Sequence, residues 1–300
     1  MNQLEAASII ENQALKSLMY KLTDIPNHPV RLIQASKSLI GLDLDNPNKK
    51  LLGFNSFFLK NNNYKSIKNK NYLDHTIKEV ISIYDLEEAF ANNDKTKAFD
   101  ILHQLSKVSN PLHILEFLVE ISLKQSGISF LIVWSIYRMV FFINQKDESF
   151  FLDLSIDAIF SDKFYSNNFD LLVTNQKIID YSNLSISNID LFSHLLEAYN
   201  SNLVRSDKIK PLISNIIARK FNYDKKETLM DFNSDFKYPQ LFSIGRSWLL
   251  VFINNIDNNK ITIELILFLD SIRCLYKFLN NSDYKLICIH FERLVKKFDI

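Results

Sequence analysis

Apolar residues recur at intervals of three and four along almost the whole chain, the spacing that places them on one face of an α-helix. Residues 3–22 form the first such segment, and the strict alternation typical of strands is rare. The pattern therefore predicts an all-α fold. We expect an irregular antiparallel array of roughly twelve to fifteen helices.

Polar and helix-breaking residues divide the pattern into separate helices. Asn110 followed by Pro111, for example, predicts a helix start with Asn as the N-cap and Pro at the first helical position. The short connections favour antiparallel neighbours. The helices after the first are predicted over 29–42, 50–60, 73–92, 95–108, 111–125, 128–144, 147–161, 168–181, 187–203, 207–221, 239–255, 260–280 and 283–298.

One segment in the second half has the composition of a linker. Residues 223–238 are charged and poor in aliphatic side chains, and they end at Pro239. We therefore predict a main helical domain over 1–222, a linker over 223–238, and a C-terminal helical unit over 239–300 that packs on the main domain. No repeat with a fixed period accompanies this division.

The most apolar segment, residues 128–143, has the sequence ISFLIVWSIYRMVFFI. It is shorter than the roughly 20 residues that a membrane-spanning helix needs, and it contains an arginine. A helix buried inside the protein fits better, so no membrane span is predicted. Because the N-terminus lacks the layout of a signal peptide, we expect a cytoplasmic location, with Cys274 and Cys288 as free thiols.

Composition excludes some classes of function. The 300 residues include only 4 glycines, too widely spaced for a loop that cradles phosphate. The net charge of +1 gives no general attraction for nucleic acid, which argues against a nucleic-acid partner. The short basic stretches Lys65–Lys70 and Arg205–Lys210 are interpreted as solvated segments, with single-stranded nucleic acid as the alternative.

Two predicted helices carry histidine three residues before glutamate, which puts both side chains on one face. His113 precedes Glu116 and Glu120, and His194 precedes Glu197. Di-iron helical proteins use the opposite order, Glu-x-x-His. We therefore predict no metal site and no cofactor, keep these five residues as weak metal-ligand candidates, and favour local hydrogen bonds for them.

Arg138 lies within the most apolar predicted helix. An unpaired buried guanidinium is very costly, so Arg138 has to reach water or an acid. Glu116 or Glu120 on the preceding helix is the predicted partner. The alternative is an anion anchor in a pocket between helices. Arg246 and Arg273 lie in similar apolar surroundings and are treated in the same way.

The layout of residues 75–160 resembles a known family. An acidic helix over 85–90 is followed by NDKTKA at 93–98, a helix, a start at Pro111 and then an apolar helix. This order is similar to the helical domain of questin oxidase-like proteins and covers under a third of the chain. The resemblance implies an all-α protein of the oxidoreductase class, linked to Baeyer–Villiger-type oxidation, in which histidines matter.

Under that resemblance, His28, in the sequence NHP, and His75, in the sequence DH, are the matching histidines. Where the resemblance would place further histidines, between 130 and 138, this chain has Phe130, Trp134 and Arg138. His28, His75 and Arg138 are therefore the catalytic candidates of this hypothesis.

The sequence contains none of the motifs G-x-S-x-G, H-E-x-x-H or C-x-x-C. The leading hypothesis is therefore a helical scaffold or partner-binding protein without its own catalysis, whose partner is a protein or a hydrophobic small molecule. The alternative is an all-helical, questin oxidase-like enzyme that acts on a hydrophobic small molecule in a pocket between helices. A nucleic-acid-associated helical protein is the third hypothesis.

Overall fold

A computed structural model describes residues 1–61, 81–125, 127–143, 149–162, 186–221, 245–278 and 284–298. Thirteen α-helices lie in these ranges, which confirms the predicted all-α fold and the predicted number of helices. They are α1 Gln3–Leu18, α2 Pro29–Ile40, α3 Lys49–Asn61, α4 Ile83–Ala91, α5 Lys95–Val108, α6 Pro111–Leu123, α7 Ile128–Val140, α8 Ser149–Ser161, α9 Ile186–Tyr199, α10 Ser206–Phe221, α11 Trp248–Asn255, α12 Ile263–Phe278 and α13 Tyr284–Phe298.

Local sequence signals explain where several helices begin. α6 starts as predicted, because the Asn110 side chain accepts a hydrogen bond from the Leu112 amide at 2.9 Å and Pro111 takes the first helical position. α4 starts with a capping box in which Ser82 and Asp85 each accept the other's backbone N–H. These polar contacts satisfy amides that have no partner inside the helix.

Several helices end earlier than predicted, among them α1 and α7. α1 ends at Leu18 rather than near residue 22, and the Tyr20 hydroxyl that follows donates to the Leu59 carbonyl oxygen at 2.6 Å. α7 ends at Val140 rather than at 144, where the Lys37 ammonium donates to the Arg138 carbonyl oxygen at 2.9 Å. The Tyr20 contact fixes the chain to α3 just after α1 ends. The Lys37 contact gives a hydrogen-bond partner to a carbonyl group in the last turn of α7.

Helices α2, α7 and α9 lie at the centre of the fold and run parallel to one another. Near their starts, Arg31 of α2 contacts Asp190 of α9. Near their ends, Arg138 of α7 contacts both Ser38 of α2 and Glu197 of α9. α2 and α9 contact each other at their starts, and α7 contacts both of them near their ends, so the three helices run in the same direction. Neighbours along the chain such as α6 and α7 are antiparallel instead.

α12 completes this central group in the same direction. The Ser271 hydroxyl lies 3.3 Å from Asp190, and Arg273, further along α12, lies 3.4 Å from Glu197, further along α9. The predicted C-terminal unit therefore contributes a helix to the centre of the protein. The linker predicted over 223–238 lies outside the described residues, as does the helix predicted over 168–181.

The other helices surround this group. On one side, the buried Gln13 amide of α1 donates to the Leu52 carbonyl oxygen of α3 at 3.0 Å. At the other end of the chain, the Trp248 ring of α11 packs against the Phe291 ring of α13 with centroids 4.7 Å apart. Buried apolar side chains from Ala6 to Leu294 form one connected core. In the described part of the chain, every helix is too short or too polar to span a bilayer.

Candidate functional site

A group of buried ionic side chains joins the four central helices. We call six residues the central ion network: Arg31 of α2, Arg138 of α7, Asp190 and Glu197 of α9, and Asp270 and Arg273 of α12. His194 links the Arg31–Asp190 pair to the other four residues, because its Nε2 lies 3.5 Å from Asp190 Oδ1 and 3.8 Å from Asp270 Oδ2. Three guanidinium groups face three carboxylates, so the formal charges of the network balance. Such balance is what allows charges to remain in the interior of a protein.

Helical spacing brings these groups to facing surfaces. Asp190, His194 and Glu197 follow one another at intervals of four and three residues, so they share one face of α9. Asp270 and Arg273 are three residues apart on α12 and form an ion pair within that helix, with 2.5 Å between Nε and Oδ1. Each of the two helices therefore presents a row of polar groups to the other.

At the first end of the network, Arg31 is 2% exposed. Its Nη2 donates to both carboxylate oxygens of Asp190, at 2.7 and 2.5 Å, and its Nη1 donates to the Pro26 carbonyl oxygen at 2.5 Å. The Ser271 hydroxyl adds a contact of 3.3 Å to Asp190. This charge-assisted pair, in which one guanidinium nitrogen contacts both carboxylate oxygens, holds the start of α9 against the start of α2.

At the other end, Arg138 Nη1 lies 3.0 Å from Glu197 Oε2 and 3.4 Å from Asp270 Oδ2. Its Nη2 donates to the Ser38 hydroxyl at 2.6 Å. Arg273 Nη2 approaches Glu197 Oε1 at 3.4 Å. Glu197 and Asp270 therefore each contact two guanidinium groups, which compensates the loss of water around both carboxylates.

These surroundings change the acidity of the network. Burial alone raises the pKa of Glu197, but attraction to Arg138 and the contact with His194 outweigh it, so the pKa falls well below its usual range. Burial lowers the pKa of Lys37 to about 7, and the nearby Arg138 guanidinium acts in the same direction. Trp134 donates its indole N–H to Glu197 at 3.1 Å and supports the charged carboxylate.

The predicted partner of Arg138 is wrong. Glu120 instead pairs with Arg205, whose Nε and Nη2 donate at 2.8 and 2.5 Å, and Glu116 accepts from the Tyr137 hydroxyl at 3.0 Å. The reason is the rotation of about 100° per residue along a helix. Tyr137 faces α6, and the next residue, Arg138, therefore points away from α6 toward α9 and α12.

The other catalytic candidates lie apart from Arg138 or outside the described residues. His28 is fully buried as the N-cap of α2: Nδ1 accepts from the Val30 amide at 3.2 Å, and Nε2 lies 3.3 Å from the Tyr20 carbonyl oxygen. Burial lowers its pKa to about 4. His75 lies outside the described residues. His28 thus shares no contact with Arg138 and has a capping role in the fold.

The weak metal-ligand candidates are divided between two places. His113 is exposed, whereas Glu116 and Glu120 are buried and bonded to Tyr137 and Arg205. The i, i+3 spacing therefore does not bring this histidine and these carboxylates into one site.

On α9, by contrast, His194 and Glu197 are in contact, with 3.5 Å between Nδ1 and Oε2. Near them, ligand atoms of His194, Asp270 and Cys274 lie within 4.8 Å of one another, all buried. The Arg273 guanidinium, however, already lies 3.1 Å from Cys274 Sγ, and burial raises the pKa of this thiol well above its usual value. A divalent cation here would meet two guanidinium groups, so the arrangement favours a closed ion network over a metal centre.

Three further predictions concern the two cysteines, Arg246 and the basic stretches. Cys274 and Cys288 are both free and buried, as expected. Arg246 lies in a short 3₁₀ turn before α11 and is partly exposed, so it does not share the buried environment of Arg138 and Arg273. Of the two basic stretches, Lys65–Lys70 lies outside the described residues.

An open cleft of about 780 Å³ lies where the four central helices begin. We call it the helix-start cleft. It is lined by Pro26, Asn27, Arg31, Ile128, Leu131, Asn188, Asp190, Leu191, Lys220, Glu264, Leu267, Phe268, Arg293, Lys297 and Phe298. The Arg31–Asp190 pair is therefore the point at which the central ion network reaches a surface that a ligand can approach. No sequence motif marks this cleft, because helices distant in the chain build it together.

Comparison with protein families, with curated proteins and with solved structures finds no match for this chain. The fold and the site define its class: an all-α protein with a charge-balanced centre and an amphipathic cleft at the starts of its central helices.

Proposed function

We propose that this protein is a non-catalytic helical binding protein and that the helix-start cleft is where it binds. The volume of about 780 Å³ carries the proposal, because it lies within the range of roughly 300–1,000 Å³ typical of small-molecule sites. Apolar side chains from α7, α9, α12 and α13 supply the wall area that binding of a hydrophobic molecule requires.

The state of the catalytic candidates supports binding over catalysis. The guanidinium group of Arg138 already contacts Ser38, Glu197 and Asp270, and His28 caps α2. Neither residue is among the residues that line the cleft. A group held in a buried pair would have to leave that pair before it could serve a substrate, at a cost of several kcal/mol, roughly 3–5.

The questin oxidase-like enzyme hypothesis uses the same cleft, with a hydrophobic substrate in place of a ligand. Among the described residues, the Arg31–Asp190 pair would then be the nearest buried polar group to that substrate. A protein partner that inserts an apolar side chain into the cleft is the other occupant compatible with a binding role. We include a cytoplasmic location in this proposal. We do not include a nucleic-acid partner.

Titration with a neutral fluorescent probe, N-phenyl-1-naphthylamine, tests the proposal. We expect one saturable site. Leu267→Trp fills the cleft and should weaken binding by about tenfold or more, since overlap with a wall removes the contact area. Leu212→Trp is the matched control, because Leu212 is 8% exposed, close to 7% for Leu267, and does not line the cleft.

Thermal unfolding of both variants identifies any that fail to fold, in which case Leu131→Phe replaces Leu267→Trp as a smaller change in the same wall. Loss of the site in the cleft variant alone supports the proposal. Equal weakening in Leu267→Trp and Leu212→Trp, or the lack of a saturable site in the unmodified protein, would overturn it.

A further inference from the structure

We infer that the ligand of the helix-start cleft is a neutral apolar molecule with one hydroxyl group, an alcohol or a phenol, which donates a hydrogen bond to Asp190 Oδ2. This inference rests on the proposed function and adds the chemical class of the ligand. It depends on three features of the Arg31–Asp190 pair: the member that reaches the cleft, the oxygen that can still accept, and the balance of charge.

The carboxylate is the member of the pair that is open to the cleft. Both residues line the cleft, but the side chain of Asp190 is 18% exposed, whereas that of Arg31 is 1% exposed. A molecule that enters the cleft therefore meets the acceptor, Asp190, and not the donors of the Arg31 guanidinium group. The group that matches a carboxylate is a hydrogen-bond donor.

The two oxygens of Asp190 are not equally occupied. Oδ1 lies 2.7 Å from Arg31 Nη2, 3.3 Å from the Ser271 hydroxyl and 3.5 Å from His194 Nε2. Oδ2 accepts from Arg31 Nη2 at 2.5 Å, and within the described part of the chain it has no second donor. A carboxylate offers about four acceptor positions on its two oxygens. Oδ2 therefore keeps the capacity to accept from a ligand.

The balance of charge in the pair favours a neutral donor over an ion. Arg31 and Asp190 carry one formal charge of each sign, so a bound ammonium group would lie close to a guanidinium group and a bound carboxylate close to another carboxylate. Either ion would also lose water against the apolar walls, which costs an ion far more than a hydroxyl group. A hydroxyl group avoids both costs.

The apolar walls define the rest of the ligand. Leu131 of α7, Leu191 of α9, and Leu267 and Phe268 of α12 line the cleft together with Asp190. A molecule whose hydroxyl group contacts Asp190 can therefore place an apolar body against side chains of three central helices. Burial of that body supplies most of the affinity, and the single polar contact fixes its orientation.

Two naphthalenes that differ in one group test the need for a donor. 1-Naphthol donates through its hydroxyl group, whereas 1-methoxynaphthalene can only accept and carries one more methyl group. Displacement of N-phenyl-1-naphthylamine at pH 7 measures both affinities. We expect 1-naphthol to bind about tenfold more tightly, because a hydrogen bond to a charged acceptor outweighs the burial of one methyl group. Apolar contact alone would give the opposite order.

Asp190→Asn should remove the preference for 1-naphthol. The amide has a single oxygen, which Arg31 holds, and an N–H₂ group that donates in place of Oδ2, so both naphthalenes should then bind within about twofold of each other. Asp157→Asn is the matched control, because the Asp157 side chain is 19% exposed, pairs with Lys95 at 2.7 Å and does not line the cleft. It should keep the preference of the unmodified protein.

Thermal unfolding shows whether Asp190→Asn folds, since the substitution weakens a buried ion pair. The comparison of the two naphthalenes in the unmodified protein does not depend on that variant. Leu267→Trp, which fills the cleft, should weaken both naphthalenes by about tenfold and so assigns them to this site.

The outcomes separate the two proposals. If 1-methoxynaphthalene binds in the cleft at least as tightly as 1-naphthol, the ligand needs no donor, and the inference fails while the binding function stands. Tighter binding of the cation 1-naphthylmethylamine or of the anion 1-naphthoate would overturn the neutral class. A preference that persists in Asp190→Asn would overturn the role of Asp190. If none of these molecules binds, both proposals fail.

Discussion

Arg138 on α7 and Glu197 on α9 form a buried ion pair, with 3.0 Å between Nη1 and Oε2, in which each side chain is less than one-seventh exposed, at 13% and 12%. Because only about an eighth of each side chain reaches water, the neighbouring Asp270 and Arg273 supply most of the compensation for the two charges. The consequences of this relationship for stability can be measured directly.

Replacing Arg138 by Met should lower the free energy of unfolding by about 3–5 kcal/mol, because Glu197 and Asp270 lose a guanidinium partner while they stay buried. Urea denaturation measures the change. Lys97→Met removes a cation from an exposed pair and should cost at most about 1 kcal/mol. Similar losses in the two variants would show that the network adds no more to stability than a surface pair.

His28 should make the protein sensitive to acid. Its pKa falls from 6.5 to about 4 on folding, so between these values the unfolded chain binds a proton that the folded protein excludes. Stability therefore decreases as the pH drops from 6.5 to 4, by about 3 kcal/mol in total. His28→Asn keeps an N-cap acceptor without a titrating group and should flatten this dependence.

Denaturation curves at pH 7, 5.5 and 4 provide the measurement for His28. The exposed His113 serves as the control, and His113→Asn should retain the pH dependence of the unmodified protein. A slope that persists in His28→Asn would assign the acid sensitivity to other groups.

Both thiols should be unreactive in the folded protein. Cys274 is 0% exposed and Cys288 2% exposed, and burial raises the pKa of Cys288 to about 11. We expect slow reaction with dithionitrobenzoate in the native state and rapid reaction of both thiols in guanidinium chloride, since the thiolate is the reactive form. Asn200→Cys places a thiol at an exposed position and should react at once. Rapid native labelling without that substitution would contradict the buried placement.

Two glycine substitutions should have opposite effects. Gly127 precedes α7 with a φ of 84°, a conformation that a side chain disfavours, so Gly127→Ala should destabilise the protein by about 1 kcal/mol. Gly53 lies inside α3, and a Cβ there meets nothing within 4 Å, so Gly53→Ala should stabilise by about 0.5–1 kcal/mol. Melting temperatures that shift in the same direction would contradict this assignment.

The sequence predicted helices wherever the determining interactions are local. The start of α6 at Pro111 depends on residues only a few positions apart, and its N-cap was predicted correctly from Asn110. The end of α7 was placed four residues too late, and there the Arg138 carbonyl oxygen accepts from Lys37, which is 101 positions away and which the pattern of apolar residues does not reveal. Distance along the chain therefore limited what the pattern of residues could predict.

The same limit explains the candidate site. The need of Arg138 for an acid followed from its apolar neighbours, but the choice of partner did not, because Asp270 is 132 positions away and Glu120 is on the adjacent helix. Facing side chains are decided by the rotation of each helix in the packed structure. A pocket between helices was predicted only as an alternative and without a location, because the residues that line the helix-start cleft depend on the relative placement of six helices.

The order of the four central helices along the chain also determines when the central ion network can form during synthesis. Arg31 meets Asp190, which follows 159 residues later, and α12 is made later still. A nascent chain that ends before α9 therefore contains the guanidinium groups of Arg31 and Arg138 without any of the three carboxylates of the network. Until those residues leave the ribosome, both guanidinium groups lack their carboxylate partners, so we expect partial chains that end before α9 to expose apolar surface and to aggregate more readily than the complete protein.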